Sequence, residues 1–128
     1  MSLTSPLNRA LGLGSAKQGA GHWWLQRLTA VALVPLGLWL AIALGGLDGL
    51  NYAAVVAFIR EPLNGILLSL TLLTLSYHSQ LGVQVVVEDY VHGPGLKVAT
   101  IVASSFAHVA VAVAGAFAVL RVAFGAPG

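Results

Sequence analysis

His78, Gly82, Val85 and Asp89 fall at i, i+4, i+7 and i+11, so on an α-helix they form a single stripe. Thr71 and Thr74 extend it in the other direction. The stripe presents an imidazole, then a residue with no side chain one turn on, then a carboxylate followed by Tyr90. A neutral imidazole is a common axial ligand of haem iron. A neighbouring Gly lets a planar macrocycle approach the helix backbone. The other use of such a His is a hydrogen bond to a Ser or a main-chain carbonyl of an adjacent helix. The residues alone leave both readings open. The choice matters because His78 sits inside the uncharged run 62–87. An ionisable group in an apolar spanning segment is costly and marks a functional site by default.

Other residues are candidates of lesser weight. Tyr90 lies 12 residues beyond His78, about 18 Å along a helix, at the level of the membrane interface. A phenol beside a carboxylate can hydrogen-bond a carbonyl oxygen and relay protons; the plain alternative is an interfacial aromatic beside solvated acids. Arg27 can snorkel to the interface or pair with a carboxylate carried by a buried cofactor, and His22 is close to it in sequence. His108 shares a face with Ser104 and Ser105, and a hydrogen bond there or to a neighbouring helix is its simplest use. His92 falls in a loop. Gln80, Gln84 and Glu88 form a second stripe, suited to polar contact with a partner subunit.

The elements that position these groups follow from composition. The 128-residue chain is 58% hydrophobic and 8% charged, with a mean hydropathy of +0.89. Soluble domains carry about 25% charged residues, so this is an integral membrane protein. At so low a charge density, the net charge of +2 reflects topology and does not point to nucleic acid. With no Cys, the chain can form no disulfide and offers no thiolate to an iron–sulfur cluster or haem. Any metal must be held by His, carboxylate or a partner chain.

Charges divide the sequence into uncharged runs at 28–47, 62–87 and 98–120, each long enough to cross a bilayer. The expectation is an all-α fold with three transmembrane helices, at about 28–47, 63–87 and 98–120, forming a single membrane domain. Pro35 is a place for a kink in the first. Residues 1–21, rich in Gly and Ser, read as a flexible arm. Loops are expected at 48–61, mildly amphipathic and suited to a short interfacial helix, and at 88–97, where Gly93-Pro94-Gly95 signals a turn. His22-Trp23-Trp24 sits where an aromatic belt belongs. The first apolar run exceeds a signal-peptide core and reads as a retained span. Arg9, Lys17, Arg27 and Lys97 share one side, against Arg60 and Arg121 on the other. That bias predicts a cytoplasmic or matrix N-terminus and a periplasmic C-terminus in an inner membrane.

The entry GSAKQGAGHWWLQRLTAV, three spans with a short amphipathic first loop, and H-x3-G-x6-DY-V (His78, Gly82, Asp89, Tyr90, Val91) resemble the small hydrophobic membrane-anchor subunits of succinate dehydrogenase (succinate:quinone oxidoreductase, complex II). The resemblance spans most of the chain. It implies that His78 is an axial ligand of a haem b shared with a larger cytochrome b anchor subunit, which supplies the other axial His. It further implies that Tyr90 hydrogen-bonds ubiquinone, that Asp89 lines the same region, and that Arg27 and His22 lie near the haem propionates. Gly82 makes room for the ring. Implied partners are the iron–sulfur and flavoprotein subunits, which carry electrons from succinate as far as quinone. His108 matches no part of the pattern.

On this reading the chain is non-catalytic alone, an anchor and one wall of a quinone site. Three alternatives follow: a fumarate reductase anchor running the same couple in reverse, a purely structural anchor without haem, or a small transporter with Glu61, Glu88 and His108 as a proton path. The absence of paired acid and base at mid-depth, and of an inverted repeat, argues against the last.

Overall fold

The structure, a computed structural model, describes residues 16–125, with side chains from residue 19. Four helices follow in order: α1 (Ala16–Gly45), α2 (Tyr52–Arg60), α3 (Pro62–Tyr90) and α4 (Pro94–Phe124). Three of them, α1, α3 and α4, are long and apolar enough to cross a membrane. With 29 and 31 residues, α3 and α4 run to about 45 Å, beyond a hydrocarbon core of about 30 Å. Their ends therefore reach the headgroup layer.

Local chemistry sets the junctions. Gly46 N–H returns to the Ile42 carbonyl at 3.0 Å as α1 ends, and Gly49 adopts φ +143°, in the region that favours glycine. Asn51 then caps α2, its side-chain oxygen accepting from Ala54 N–H at 2.9 Å. The short helix is amphipathic, as the sequence suggested. Its buried Phe58 stacks on Trp39 of α1, with ring centroids 6.0 Å apart. Pro62 starts α3 immediately after Glu61, where its missing N–H costs nothing. Gly65 is buried in this corner, and a Cβ there would lie 3.1 Å from the Ile59 carbonyl. Glycine thus lets α2 fold tightly onto α3.

The link from α3 to α4 is only residues 91–93, shorter than the expected loop 88–97. Glu88, Asp89 and Tyr90 remain helical. Pro94 serves as the first residue of α4, with Gly93 in the cap position. The Lys97 ammonium donates to the Glu88 carbonyl at 2.9 Å, satisfying a free acceptor at the end of α3. A second difference lies at the other end. The helix begins at Ala16, so residues 16–21 of the expected arm belong to α1. Residues 1–15, including Arg9, and the Lys17 side chain lie outside the described residues. Pro35 lies within α1, which continues on both sides of it.

The central helix is α3, packed by all three others. Because Phe58, near the start of α3, touches Trp39 late in α1, α1 and α3 run antiparallel. Among the described residues little is buried: Leu36, Phe58, Leu81, Val87 and Val119 form the apolar core, and no large side chain is fully buried. Leu28, Val31, Ile42, Phe106 and Phe117 are all exposed. Such surfaces suit lipid or other apolar helices, since lipid supplies no hydrophobic drive to hide them.

Candidate functional site

The α1–α3 seam positions His78. Thr29 Oγ1 of α1 lies 2.8 Å from His78 Nδ1 of α3, and the half-buried imidazole makes no other hydrogen bond among the described residues. On α1, His22, Gln26 and Thr29 fall at i, i+4 and i+7 and form the less exposed face of an otherwise outward-facing segment. Running antiparallel, the α3 stripe climbs alongside this face from His78 through Gly82 to Val85. A Cβ added to Gly82 would meet nothing within 4 Å, so the space one turn above His78 is open. The Nε2 atom of His22 is buried without a hydrogen-bond partner among the described residues, which in a native site calls for an explanation.

A haem b is the group that the resemblance implies, and the residues present are compatible with one. One imidazole has an uncommitted Nε2, the adjacent glycine leaves room for a flat ring, and a second, unpartnered imidazole nitrogen lies farther along the same seam. No group of three or more metal-ligating side chains occurs among the described residues. An axial site needs only one imidazole from this chain.

Arg27 lies inside α1, two residues and so about 3 Å along the helix axis from Thr29, which meets His78. At 100° per residue it also faces away from α3. The exposed guanidinium rests 5.3 Å from the Trp23 ring centroid, and Trp23 packs edge-on against Trp24. The chain itself does not bring Arg27 and His78 onto one face. Asp89 and Tyr90 are exposed at the last turn of α3, Tyr90 at 76% of its surface, and neither has a hydrogen-bond partner among the described residues. Within this chain they form an edge and not an enclosed pocket.

His108 is committed elsewhere. Its Nδ1 lies 2.8 Å from the Ser104 carbonyl and its Nε2 3.1 Å from Ser79 Oγ. Nδ1–H therefore donates to the carbonyl and Nε2 accepts from the hydroxyl. Ser76 and Gln80 add hydrogen bonds across the same α3–α4 seam, to the His108 carbonyl and to Ser105 Oγ. Gln84 bonds Glu88 on its own helix at 2.8 Å. Within this chain, Gln80 of the Gln80–Gln84–Glu88 stripe meets α4 and Gln84 meets Glu88. Cavities of about 270 and 290 Å³ flank His108, and neither is lined by His78, Gly82 or Tyr90. Both nitrogens of His108 are engaged, Glu61 and Glu88 are exposed at opposite ends of α3, and no hydrogen bond links the three among the described residues. His92 is exposed in the α3–α4 link.

Sequence reasoning passed over Thr29, Ser76 and Ser79. The signal for Thr29 was its place on the His22–Gln26 face. The serines carried none beyond being small polar residues in a spanning helix.

The family of succinate dehydrogenase/fumarate reductase transmembrane subunits matches residues 1–119. The succinate dehydrogenase hydrophobic membrane anchor subunit of Rickettsia bellii (strain RML369-C) is 38% identical over 95 residues, covering 74% of this chain and 76% of that protein. The corresponding subunit of Paracoccus denitrificans is 30% identical over 126 residues, 98% of this chain and 97% of its own. The succinate dehydrogenase membrane anchor subunit of Reclinomonas americana is 33% identical over 88 residues, 66% and 73% of the two chains. Three helices able to span a membrane and a match over nearly the whole length agree: this chain belongs to the succinate dehydrogenase/fumarate reductase transmembrane subunit family, alongside its succinate dehydrogenase membrane anchors.

Proposed function

We propose that this chain anchors a succinate:quinone oxidoreductase in the membrane, supplying one axial ligand of a haem b through His78 and part of a ubiquinone site through Tyr90 and Asp89. The observation that carries the reading is His78 itself. Its Nδ1 is held by Thr29 while Nε2 is left without a partner beside the open space at Gly82. In the hydrocarbon region an imidazole with one unused nitrogen is expensive unless another group takes it. When bound, haem b supplies a one-electron store close to the quinone.

The chain's own residues orient the imidazole, leave room for the ring at Gly82 and offer a phenol hydroxyl and a carboxylate at the interfacial end of α3. The exposed faces of α1 and α4 are surfaces for the larger cytochrome b subunit, the proposed source of the second axial His and of the missing walls around Tyr90. Arg27 and His22 are proposed to meet the haem propionates, Arg27 from the outer face of α1 and so across a junction with that subunit. The flavoprotein and iron–sulfur subunits are placed on the Tyr90 side, where the N-terminus also lies, in the cytoplasm or matrix. Names of the relatives favour succinate oxidation as the direction.

The test is the visible spectrum of the purified complex. A reduced b-type α-band in the wild type that disappears in His78→Ala, with the subunits still assembled, is the expected result. An unchanged band in the variant would remove His78 from the iron.

A further inference from the structure

We propose that Thr29 is the positioning residue for His78: its hydroxyl accepts the Nδ1 proton and so fixes the imidazole in the tautomer whose Nε2 lone pair is presented to iron. The inference deepens the haem reading and rests on it for the identity of the metal.

The hydrogen-bond inventory around one oxygen carries the argument. Thr29 Oγ1 lies 2.8 Å from the Leu25 carbonyl oxygen, 3.0 Å from the Gln26 carbonyl oxygen and 2.8 Å from His78 Nδ1. The hydroxyl has a single proton, and the two carbonyls can only accept. When that proton goes to a helix carbonyl, as Thr commonly arranges in a helix, the Oγ1 lone pairs face Nδ1 and require it to donate. All the groups are then satisfied, and Nε2 keeps its lone pair. The opposite tautomer would turn the hydroxyl away from its carbonyls and place a proton on Nε2. Among the described residues nothing accepts that proton, and an unpaired N–H at membrane depth is costly.

His108 supplies an internal contrast. It has the same inward-facing proton on Nδ1, but Ser79 occupies its Nε2. Of the two spanning-helix imidazoles on α3 and α4, only His78 is held at one nitrogen and left open at the other. The holding group comes from α1 while the ring comes from α3, so the packing of these two helices sets the ring's rotation as well as its tautomer. Outer partners of this kind are a general feature of metal-bound histidines. Their loss typically weakens metal binding by about 10- to 100-fold.

The experiment compares Thr29→Val, which keeps the shape and removes the hydroxyl, with Thr29→Ser, which keeps the hydroxyl. Both are made in the whole complex. The first readout is independent of haem: ¹⁵N NMR of the histidine-labelled anchor in complex isolated from haem-deficient cells, with the His78 signal assigned by difference from His78→Gln. Wild type and Thr29→Ser should show protonated Nδ1 and bare Nε2, and Thr29→Val should lose that preference. The second uses the haem-loaded complex. Thr29→Val should retain haem about 10- to 100-fold less tightly and have a raised midpoint potential, because an imidazole that no longer donates from Nδ1 is a poorer ligand for ferric iron. Thr29→Ser should restore both. A Thr29→Val complex with the wild-type tautomer and potential would overturn the proposal, as would a wild-type His78 protonated on Nε2. A wild-type complex with no b-type absorption would instead sink the haem reading, and the NMR arm would still decide the Thr29 contact.

Discussion

Ser79 of α3 and His108 of α4 meet across the inter-helix seam with 3.1 Å between the hydroxyl oxygen and Nε2, while the Ser76 hydroxyl reaches the His108 main-chain carbonyl at 2.8 Å. Two serines one turn apart thus hold the side chain and the backbone of the same residue. Interhelical polar contacts in membranes are each worth about 0.6–2 kcal/mol. His108→Leu is therefore expected to destabilise the anchor by about 1 kcal/mol, read as earlier dissociation in a detergent titration, with Ser79→Ala partly non-additive to it. The b-type spectrum should be unchanged. Loss of the α-band in His108→Leu at normal subunit content would show that the seam has been misread as structural.

Gly82 separates demands made by this chain from demands made by what it binds. A Cβ at this position meets nothing within 4 Å inside the chain, so Gly82→Leu should insert and fold as wild type does. That expectation concerns folding of this chain, and subunit content of the purified complex is measured alongside; in the haem reading the added side chain occupies the space of the ring. The α-band should then fall to a small fraction of wild type, with Gly82→Ala intermediate. Equal haem content in Gly82→Leu and wild type would mean that this open space faces lipid or a partner helix.

Much of the fold was legible in the sequence. Charge-free runs longer than a bilayer crossing located α1, α3 and α4, and period 3.6 placed His78, Gly82 and Asp89 on one face. The ends were not legible, because helices continue past the apolar run into the headgroup layer. There Glu88 and Lys97 can be charged and helical at once, and the Lys97 bond to the Glu88 carbonyl shows why the link needs only residues 91–93. The start of α1 was missed for the same reason, since taking a charge as the start of a span hid eleven earlier helical residues. Thr29 was legible only by halves: its face on α1 follows from the His22–Gln26 spacing, but its partner does not. Its contact joins residues 49 apart, and periodicity within one helix says nothing about which residue faces it on the next.

Lys97 links the fold to the interfacial end of the site. Its ammonium satisfies a carbonyl in the last turn of α3, the turn that carries Asp89 and Tyr90. A cation at a helix C-terminus is worth about 0.3–1 kcal/mol. Lys97→Met should fray this turn and speed hydrogen–deuterium exchange at residues 88–91 by about 2- to 5-fold, without altering exchange around His78. Uniform acceleration along α3 would contradict a local capping role.

Tyr90 offers the sharpest separation of chemistry from scaffolding. It is 76% exposed and makes no hydrogen bond among the described residues, so the chain itself loses nothing when the hydroxyl is removed. Tyr90→Phe should change stability by less than about 0.5 kcal/mol. If the hydroxyl donates to a quinone carbonyl, its loss removes one hydrogen bond, about 0.5–1.5 kcal/mol. Turnover with a quinone acceptor should then drop about 2- to 10-fold in kcat/KM. Succinate oxidation by an artificial soluble acceptor draws electrons before they reach the membrane and should be spared. Parallel loss of both activities would assign Tyr90 to assembly with the soluble subunits. Unchanged quinone turnover would leave it an interfacial aromatic, the use that its position at the end of α3 allows without any ligand.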